Sequence, residues 1–255
     1  MKTLLHEMSW VEARKYFIQN DFAILPVGST EQHGPHNPLG TDHLIARALA
    51  EKVAKLTKSI CLPVIPFGVS PHHRQFWGTI SINSTVFEEY VTQVLLSLKY
   101  HNIRKVVMVN GHGGNADALR KAARKMREKH EMFVSVFQWW PAAMKLQPNL
   151  FSSEERGHAA GEETSMNLAL HPRLVNMKAA VNEKPKKPLA ESCGIITWIF
   201  DTTDYTKSGV FGVAKSASIK RGKKDFEAVV QELVRHVNTL KKTKIEDLLA
   251  KNHIV

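Results

Sequence analysis

Cysteine is nearly absent from this chain of 255 residues: Cys61 and Cys193 stand far apart and form no CxxC pair. That argues against a disulfide framework and fits a reducing cytoplasm. No uninterrupted apolar run reaches the ~20 residues that a membrane span needs. The opening stretch, MKTLLHEMSWVEARKYF, places charge in every turn and lacks the apolar segment of a signal peptide. No internal repeat and no low-complexity linker divides the chain. These absences predict a soluble, cytoplasmic protein with no membrane partner, organised as one domain over residues 1–255.

What is present is an ordinary globular balance, with 43% hydrophobic and 23% charged residues, enough to bury a sizeable core. Acidic residues are the minority, and the formal net charge is +11. Such a surplus suits nucleic acid, an anionic membrane surface or a phosphorylated substrate. The basic residues are dispersed, however: Arg120, Lys121, Arg124, Lys125 and Arg127 on one segment, Lys184, Lys186 and Lys187 on another, and Lys220 to Lys224 on a third. No nucleic-acid-binding signature accompanies them. A solvated basic surface is therefore expected and nucleic acid is not an expected partner; attraction of an anionic substrate stays open.

The first half alternates strand and helix signals. The apolar run Phe22 to Val27 ends in the turn-rich GSTEQHGPHNPLG. Thr41 is expected as the N-cap of a helix whose apolar face carries Leu44, Ile45, Ala48, Leu49 and Val53. CLPVIPFG and GTISI read as further strands, and TVFEEYVTQVLLSLKYH as a helix capped by Thr85. The β-branched KVVMV, Lys105 to Val109, predicts a buried strand. NADALRKAARKMREKH follows as a helix and FVSVF, Phe133 to Phe137, as another strand.

Residues 141–160 read as loop-rich, EKPKKP (Glu183 to Pro188) as a surface loop, and TSMNLALHP as a helix ending at Pro172. GKKDFEAVVQELVRHVNTLKK sets Phe226, Val229, Val230, Leu233 and Val237 on one helical face. The predicted fold class is α/β, with a mainly parallel central sheet flanked by helices. Ligands of such sheets bind at the carboxyl ends of the strands.

Three polar clusters carry chemistry. They are Glu31-Gln32-His33-Gly34-Pro35-His36 leading to Gly40-Thr41-Asp42-His43, then Asn110-Gly111-His112-Gly113-Gly114-Asn115, and Gly157-His158-Ala159-Ala160-Gly161-Glu162-Glu163-Thr164-Ser165. Carboxylates and imidazoles of this kind bind zinc or manganese. Glu31 and His33 are two apart and point to one side of an extended segment. Glycines around His112 let backbone approach a ligand closely. Each cluster also has a plainer reading: a satisfied polar histidine, an Asp42 that merely favours a helix N-terminus, or a simple turn or anion nest at NGHGGN.

LPVGSTEQHGPHNPLGTDHLIA resembles the creatininase-family signature in which Glu-x-His-Gly-Pro-His leads to Gly-Thr-Asp. VNGHGGN resembles that family's glycine-rich histidine loop, GHAAGEETS its His-Ala-…-Glu-Thr-Ser segment, and FGVSPHHRQFWGTISI a stretch ending Gly-Thr-Ile-Ser. The resemblance runs from about Leu25 to Ser165 in the family's order, and only loosely beyond, through GVFG and the helix after it. It implies two divalent metal ions per chain, zinc and/or manganese with iron as an alternative, bridged by an aspartate and a hydroxide. Carried over, Glu31, Asp42 and His112 hold one ion, and His33, Asp42 and Glu163 the other. His158 resembles the histidine that shuttles a proton to the leaving nitrogen. Glu162 competes with Glu163 for the ligand role. His36 and His43 are candidates to orient ligands, and His73 to face the pocket.

One departure stands out. Creatinine-cleaving members have an aromatic residue and a ligating glutamate after the loop histidine, where this chain has Gly113 and Gly114. Gly113, Trp139 and Trp140 are candidate substrate contacts, the two tryptophans by stacking on a planar ring, with core or interface packing as the alternative. The resemblance implies a metal-dependent amidohydrolase that cleaves a C–N bond of a cyclic amide or formamide, as creatinine amidohydrolases do. A formamidopyrimidine-nucleotide formamide hydrolase and a peptide-trimming enzyme are alternatives within the family. A non-catalytic metal- or anion-binding protein is the alternative from another class. A small-molecule amide partner and a homo-oligomer, a hexamer in many such proteins, are also implied.

Overall fold

Strand β1 (Phe22–Val27) is buried along its whole length. A strand covered on both faces needs helices on both, which is the situation of a parallel sheet. In the computed structural model, which describes residues 2–186 and 199–251, β1 pairs with β2 (Ile60–Cys61) and β3 (Lys105–Asn110), and β3 with β4 (Phe133–Gln138). All three pairings are parallel, in the order β2-β1-β3-β4. Before the strands runs α1 (Trp10–Gln19), and between and after them run α2 (Thr41–Thr57), α3 (Ser84–Tyr100), α4 (Ala116–Lys129), α5 (Trp139–Leu146), α6 (Gly161–Leu170), α7 (Thr202–Tyr205) and α8 (Ile219–Lys242). A short antiparallel pair, β5 (Asn182–Glu183) with β6 (Gly212–Val213), lies outside the main sheet. The α/β expectation holds.

Side chains alternate across the sheet with the two-residue strand period. Ala23, Leu25, Val27, Val106 and Met108 face one core with α3 and α4; Phe22, Ile24, Val107 and Val109 face a second with α2 and α8. On α8 the expected stripe is present, with Val229, Val230, Leu233 and Val237 buried. Lys105, buried at the start of β3, reaches Asp21 at 3.1 Å and the carbonyls of Lys241 and Thr243 at 3.2 and 3.1 Å. Its ammonium thereby meets the negative end of α8. No helix among the described residues is long and apolar enough to cross a membrane.

Several local expectations are corrected. Thr41 is the first residue of α2 rather than its cap: Gly40 caps, and the Thr41 hydroxyl donates to Pro38 O at 2.8 Å. The buried face of α2 is Ile45, Ala46, Leu49, Ala50, Val53 and Ala54; Leu44 and Ala48 are only half-buried. Asn83, not Thr85, caps α3, accepting from the Thr85 N–H at 2.9 Å. CLPVIPFG and GTISI contribute only β2 and isolated bridges; in the first, prolines at 63 and 66 remove ladder donors. Residues 141–160 begin inside α5 before turning irregular. Glu183 lies on β5 and accepts from the Lys207 and Ser208 amides at 2.8 and 2.9 Å, so it is tied down rather than a free loop residue. Lys187 and Pro188 of that segment, and Cys193, lie outside the described residues; Cys61 is buried on β2.

Candidate active site

The parallel register sets Val27 opposite Asn110, so β1 and β3 deliver their following loops to one end of the sheet. Past β1 the chain carries Glu31, Gln32 and His33, then reverses through Pro38 and Gly40 into α2. Asp42 stands in the first turn of that helix, where a negative charge is favoured. Past β3, the Asn110 side chain clamps the turn by donating to His112 O at 2.7 Å and accepting from His112 N at 3.2 Å. Gly111 lies against α2 so closely that a Cβ there would sit 2.2 Å from Asp42 O. The His112 loop and the start of α2 are thus pressed together.

Asp42 is the centre of the cluster. Its Oδ1 lies 3.0 Å from His33 Nε2 and its Oδ2 3.1 Å from His112 Nδ1. His112 Nδ1 is also 3.1 Å from Glu31 Oε1, and His33 Nε2 is 3.8 Å from Glu163 Oε2. The far nitrogens are taken: His112 Nε2 meets Val69 O at 3.0 Å and Ser70 Oγ at 3.1 Å, and His33 Nδ1 meets Glu31 O at 3.2 Å. Such contacts fix the ring and leave the inward nitrogen as a ligand.

Both oxygens of Glu31, Nε2 of His33 and Oδ2 of Asp42 are buried without a hydrogen-bond partner among the described residues. Burying unpartnered charge is costly, and a cation at the convergence point removes that cost. Among the described residues, three groups of side chains lie close enough to hold an ion: Glu31, Asp42 and His112; His33, His158 and Glu163; and Glu31, His73 and His158. The donor set of carboxylate oxygens and imidazole nitrogens fits zinc or manganese.

The electrostatics agree. Burial opposes a charged His33, but Asp42, Glu163 and Glu31 outweigh it and carry its pKa up to about 10. Burial opposes a charged His112 too, and Glu31 and Asp42 raise it well above its ordinary value. Burial pushes the Glu163 carboxyl up to about 7 against the pull of His33. Without a cation, protons take its place.

Burial, with His33 and His73 alongside, holds His158 well below the usual histidine range. Its ring lies tilted at 4.4 Å from His33 and stacks at 4.5 Å on His73. Its Nε2 lies 2.9 Å from both the main-chain O and the side-chain Nε2 of Gln32. His73, which the sequence marked only as facing the pocket, brings Nε2 within 3.5 Å of Glu31 Oε1. Gln32 escaped notice because a neutral amide carries no chemical signature; its position between Glu31 and His33 was the available signal.

Glu162 and Glu163 turn to different partners. Glu163 turns to His33 and accepts from Ala159 N at 2.7 Å. Glu162 is held by Arg156 Nη1 at 2.5 Å, and burial followed by the nearby Asp225 raises its carboxyl to about 8. His36 bonds Thr164 Oγ1 at 2.8 Å, beside Glu163, while His43 packs behind Gly28 and Gly40 and makes no hydrogen bond to the cluster among the described residues.

A cavity of about 380 Å³ opens over Glu31, Asp42, His112 and Glu163, walled by His72, His73, His158, Trp140, Phe200, Tyr205 and Phe211. Gly113 and Trp140 line it. Trp139 does not: it is fully buried in the α2–α8 core, because consecutive residues at the β4–α5 junction point oppositely. A larger hollow of about 690 Å³ between α1 and α3 shares no residue with the ligand cluster.

A parallel α/β sheet with buried carboxylates and imidazoles converging at its carboxyl edge defines a metal-dependent hydrolase. The chain belongs to the creatininase (creatinine amidohydrolase) family, which it matches over residues 6–237, and it is an enzyme of the amidohydrolase kind. It is 30% identical to the 3-dehydro-scyllo-inosose hydrolase of Thermotoga maritima, with 91% of this chain and 82% of the relative covered. It is 33% identical to the mycofactocin precursor peptide peptidase of Mycobacterium tuberculosis (84% and 83%) and 28% to the creatinine amidohydrolase of Pseudomonas putida (88% and 92%). Among solved structures, an Mn creatininase superposes with a TM-score of 0.79 and a Zn-Zn mutant creatininase with 0.80, each 26% identical and covering 95% of this chain and all of theirs.

Proposed function

We propose that this protein hydrolyses a C–N bond in a small, uncharged cyclic amide or formamide, using two divalent ions. Glu31, Asp42 and His112 would hold one ion, and His33, Asp42 and Glu163 the other. The observation that carries this reading is the set of buried, unpartnered polar atoms on Glu31, His33 and Asp42 that converge beneath the cavity. When bound, such ions supply Lewis acidity and a water of lowered pKa.

The chain's own residues do the rest. His158, kept unprotonated by burial, takes up a proton and delivers it to the departing nitrogen. Trp140, Phe200, Tyr205 and Phe211 give the cavity apolar walls that limit water around the reacting amide. The cavity's size suits a small molecule. Arg156, the one arginine in the wall among the described residues, already donates to Glu162, so no arginine among them is left unpartnered for a phosphate. That speaks for an uncharged amide over a nucleotide, despite the basic surface. Gly113 and Gly114, standing where creatinine-cleaving members carry an aromatic and a glutamate, turn the reading away from creatinine itself.

The test is reconstitution with Zn²⁺ or Mn²⁺ followed by incubation with cyclic amides, formamides and short peptides, scoring released amine or formate. Release from the uncharged small amides supports the proposal. Failure of a folded sample to hold metal after reconstitution sinks the mechanism.

A further inference from the structure

The three residues that begin the site send their side chains two ways. Glu31 and His33 turn toward Asp42, whereas Gln32 between them turns to His73 and His158. Its amide has one workable orientation. Oε1 accepts from the Gly34 N–H at 2.9 Å, and Nε2 lies 3.3 Å from Gly209 O, to which it donates. Turned over, the NH₂ would face an N–H and the amide oxygen would face a carbonyl. In the workable orientation Nε2 is presented to His73 Nδ1 and to His158 Nε2, each at 2.9 Å. The main chain of Gln32 is anchored as well, since its N–H donates to Thr79 Oγ1 at 3.1 Å.

Gly209 closes the far side of this arrangement. Its φ is +80°, and a Cβ there would lie 1.8 Å from Gln32 Oε1. A side chain at 209 and an amide in this position are mutually exclusive. Gly209 also donates its N–H to Thr206 Oγ1 at 2.8 Å, just beyond α7, while Thr202 Oγ1 within α7 contacts His73 Nδ1 at 2.7 Å. The segment from α7 to β6 and the loop after β1 therefore meet on the same two imidazoles.

We propose that Gln32 is the positioning residue for His158 and His73, and that the bare backbone of Gly209 is what lets its amide reach them. This rests on the reading of the cavity as a hydrolytic site, but it concerns the imidazoles and not the ions. His158 Nε2 serves one partner at a time, accepting from the amide when bare and donating to Gln32 O when it carries a hydrogen; without the amide it keeps only the latter, together with its ring contacts to His33 and His73.

The experiment uses zinc-loaded full-length protein labelled with ¹⁵N-histidine, its ring nitrogens followed by long-range ¹H–¹⁵N spectra. The signals of His158 and His73 are assigned by their replacement with Gln. Wild type is expected to give one set of signals for each ring. Gln32→Leu and Gly209→Ala are each expected to shift or split both sets, with zinc content and the His33 and His112 signals unchanged. Gln32→Glu is nearly isosteric and keeps the experiment readable if another variant unfolds; it removes the NH₂ that faces both rings and is expected to shift both sets of signals. On any amide the wild type cleaves, Gln32→Leu should lower kcat by ~100-fold with KM within ~2-fold. His158 and His73 signals unmoved by Gln32→Leu and Gln32→Glu overturn the proposal, as does loss of zinc in both, which would mark Gln32 as a support of the ions. Failure of the wild type to cleave any amide counts against the hydrolytic reading and leaves the spectra to judge Gln32.

Discussion

Oδ1 of Asp42 lies 3.0 Å from Nε2 of His33, yet that nitrogen has no hydrogen-bond partner among the described residues. The two groups are close because they point at a common third position. His112 approaches the other oxygen of the same carboxylate at 3.1 Å, so Asp42 is the group that two ions would share. Wild-type protein is expected to hold two divalent ions per chain after reconstitution and desalting, and Asp42→Ala at most one, bound weakly. Elemental analysis of folded samples decides it. An Asp42→Ala variant with undiminished metal would remove Asp42 from the centre.

The metal-free and metal-loaded forms should respond to pH in opposite senses. A histidine whose pKa rises on folding stabilises the fold fully below its unfolded value of about 6.5. That contribution fades as pH rises through the folded value, which for His33 is about 10. A cation needs the unprotonated nitrogen, so metal binding displaces the His33 and His112 protons and tightens over the same window, by about tenfold per pH unit for each proton released. Between about pH 6.5 and 9, Tm of the chelator-treated protein should fall while metal affinity climbs. Thermal scans and titration calorimetry in buffers of different ionisation enthalpy measure both. An affinity flat across that range contradicts the assignment of His33 and His112 as ligands.

Adjacent glutamates should behave differently. Glu163→Gln is expected to lose one ion, because Glu163 is the carboxylate that faces His33. Glu162→Gln should keep the metal, since its partner is Arg156, and the shape and acceptor oxygen of the side chain survive. Removing the other partner, in Arg156→Met, leaves Glu162 beside Asp225 without its donor, and should destabilise the fold by about 1–3 kcal/mol at neutral pH. Denaturant unfolding and metal analysis on the three variants separate a ligand from a support. Metal loss in Glu162→Gln but not Glu163→Gln would reverse the assignment.

His158 should divide binding from turnover. His158→Gln is expected to retain the ions held by Glu31, Asp42, His112, His33 and Glu163 while lowering kcat by at least ~100-fold. A storage protein would show no change. Full activity in that variant would remove His158 from the proton path.

How much of this was legible beforehand follows from where the information sits. β1 and β3 were readable because both their faces are buried, which leaves continuous apolar runs. The helix starts were misjudged by a residue or two because the Thr41 hydroxyl is satisfied by Pro38 O inside the turn, and Asn83 captures the Thr85 amide. The residue types of the site were legible, but their meeting was not, for it depends on Val27 pairing with Asn110 across the sheet. Neighbouring tryptophans at 139 and 140 look alike in sequence; only the geometry of the β4–α5 junction sends one into the core and the other to the cavity.

The same contrast, drawn between two glycines, gives the last prediction. A Cβ on Gly114 would stand 2.1 Å from Val69 O and 2.5 Å from His112 Nε2. Those two groups are bonded to each other at 3.0 Å, the contact that leaves His112 Nδ1 aimed at Glu31 and Asp42. Gly114→Ala must therefore spread the loop or tilt the ring, with an overpacking cost of about 1–3 kcal/mol and weaker metal binding. At Gly113 a Cβ would meet nothing nearer than Trp140 at 3.9 Å, in the open cavity. Gly113→Ala should leave Tm and metal affinity near wild type and restrict only which amides fit. Thermal unfolding, metal titration and a substrate panel on the two variants test the pair. Equal losses of metal from both would show that the loop tolerates no added atom anywhere, and that Gly113 is not a wall of the substrate space.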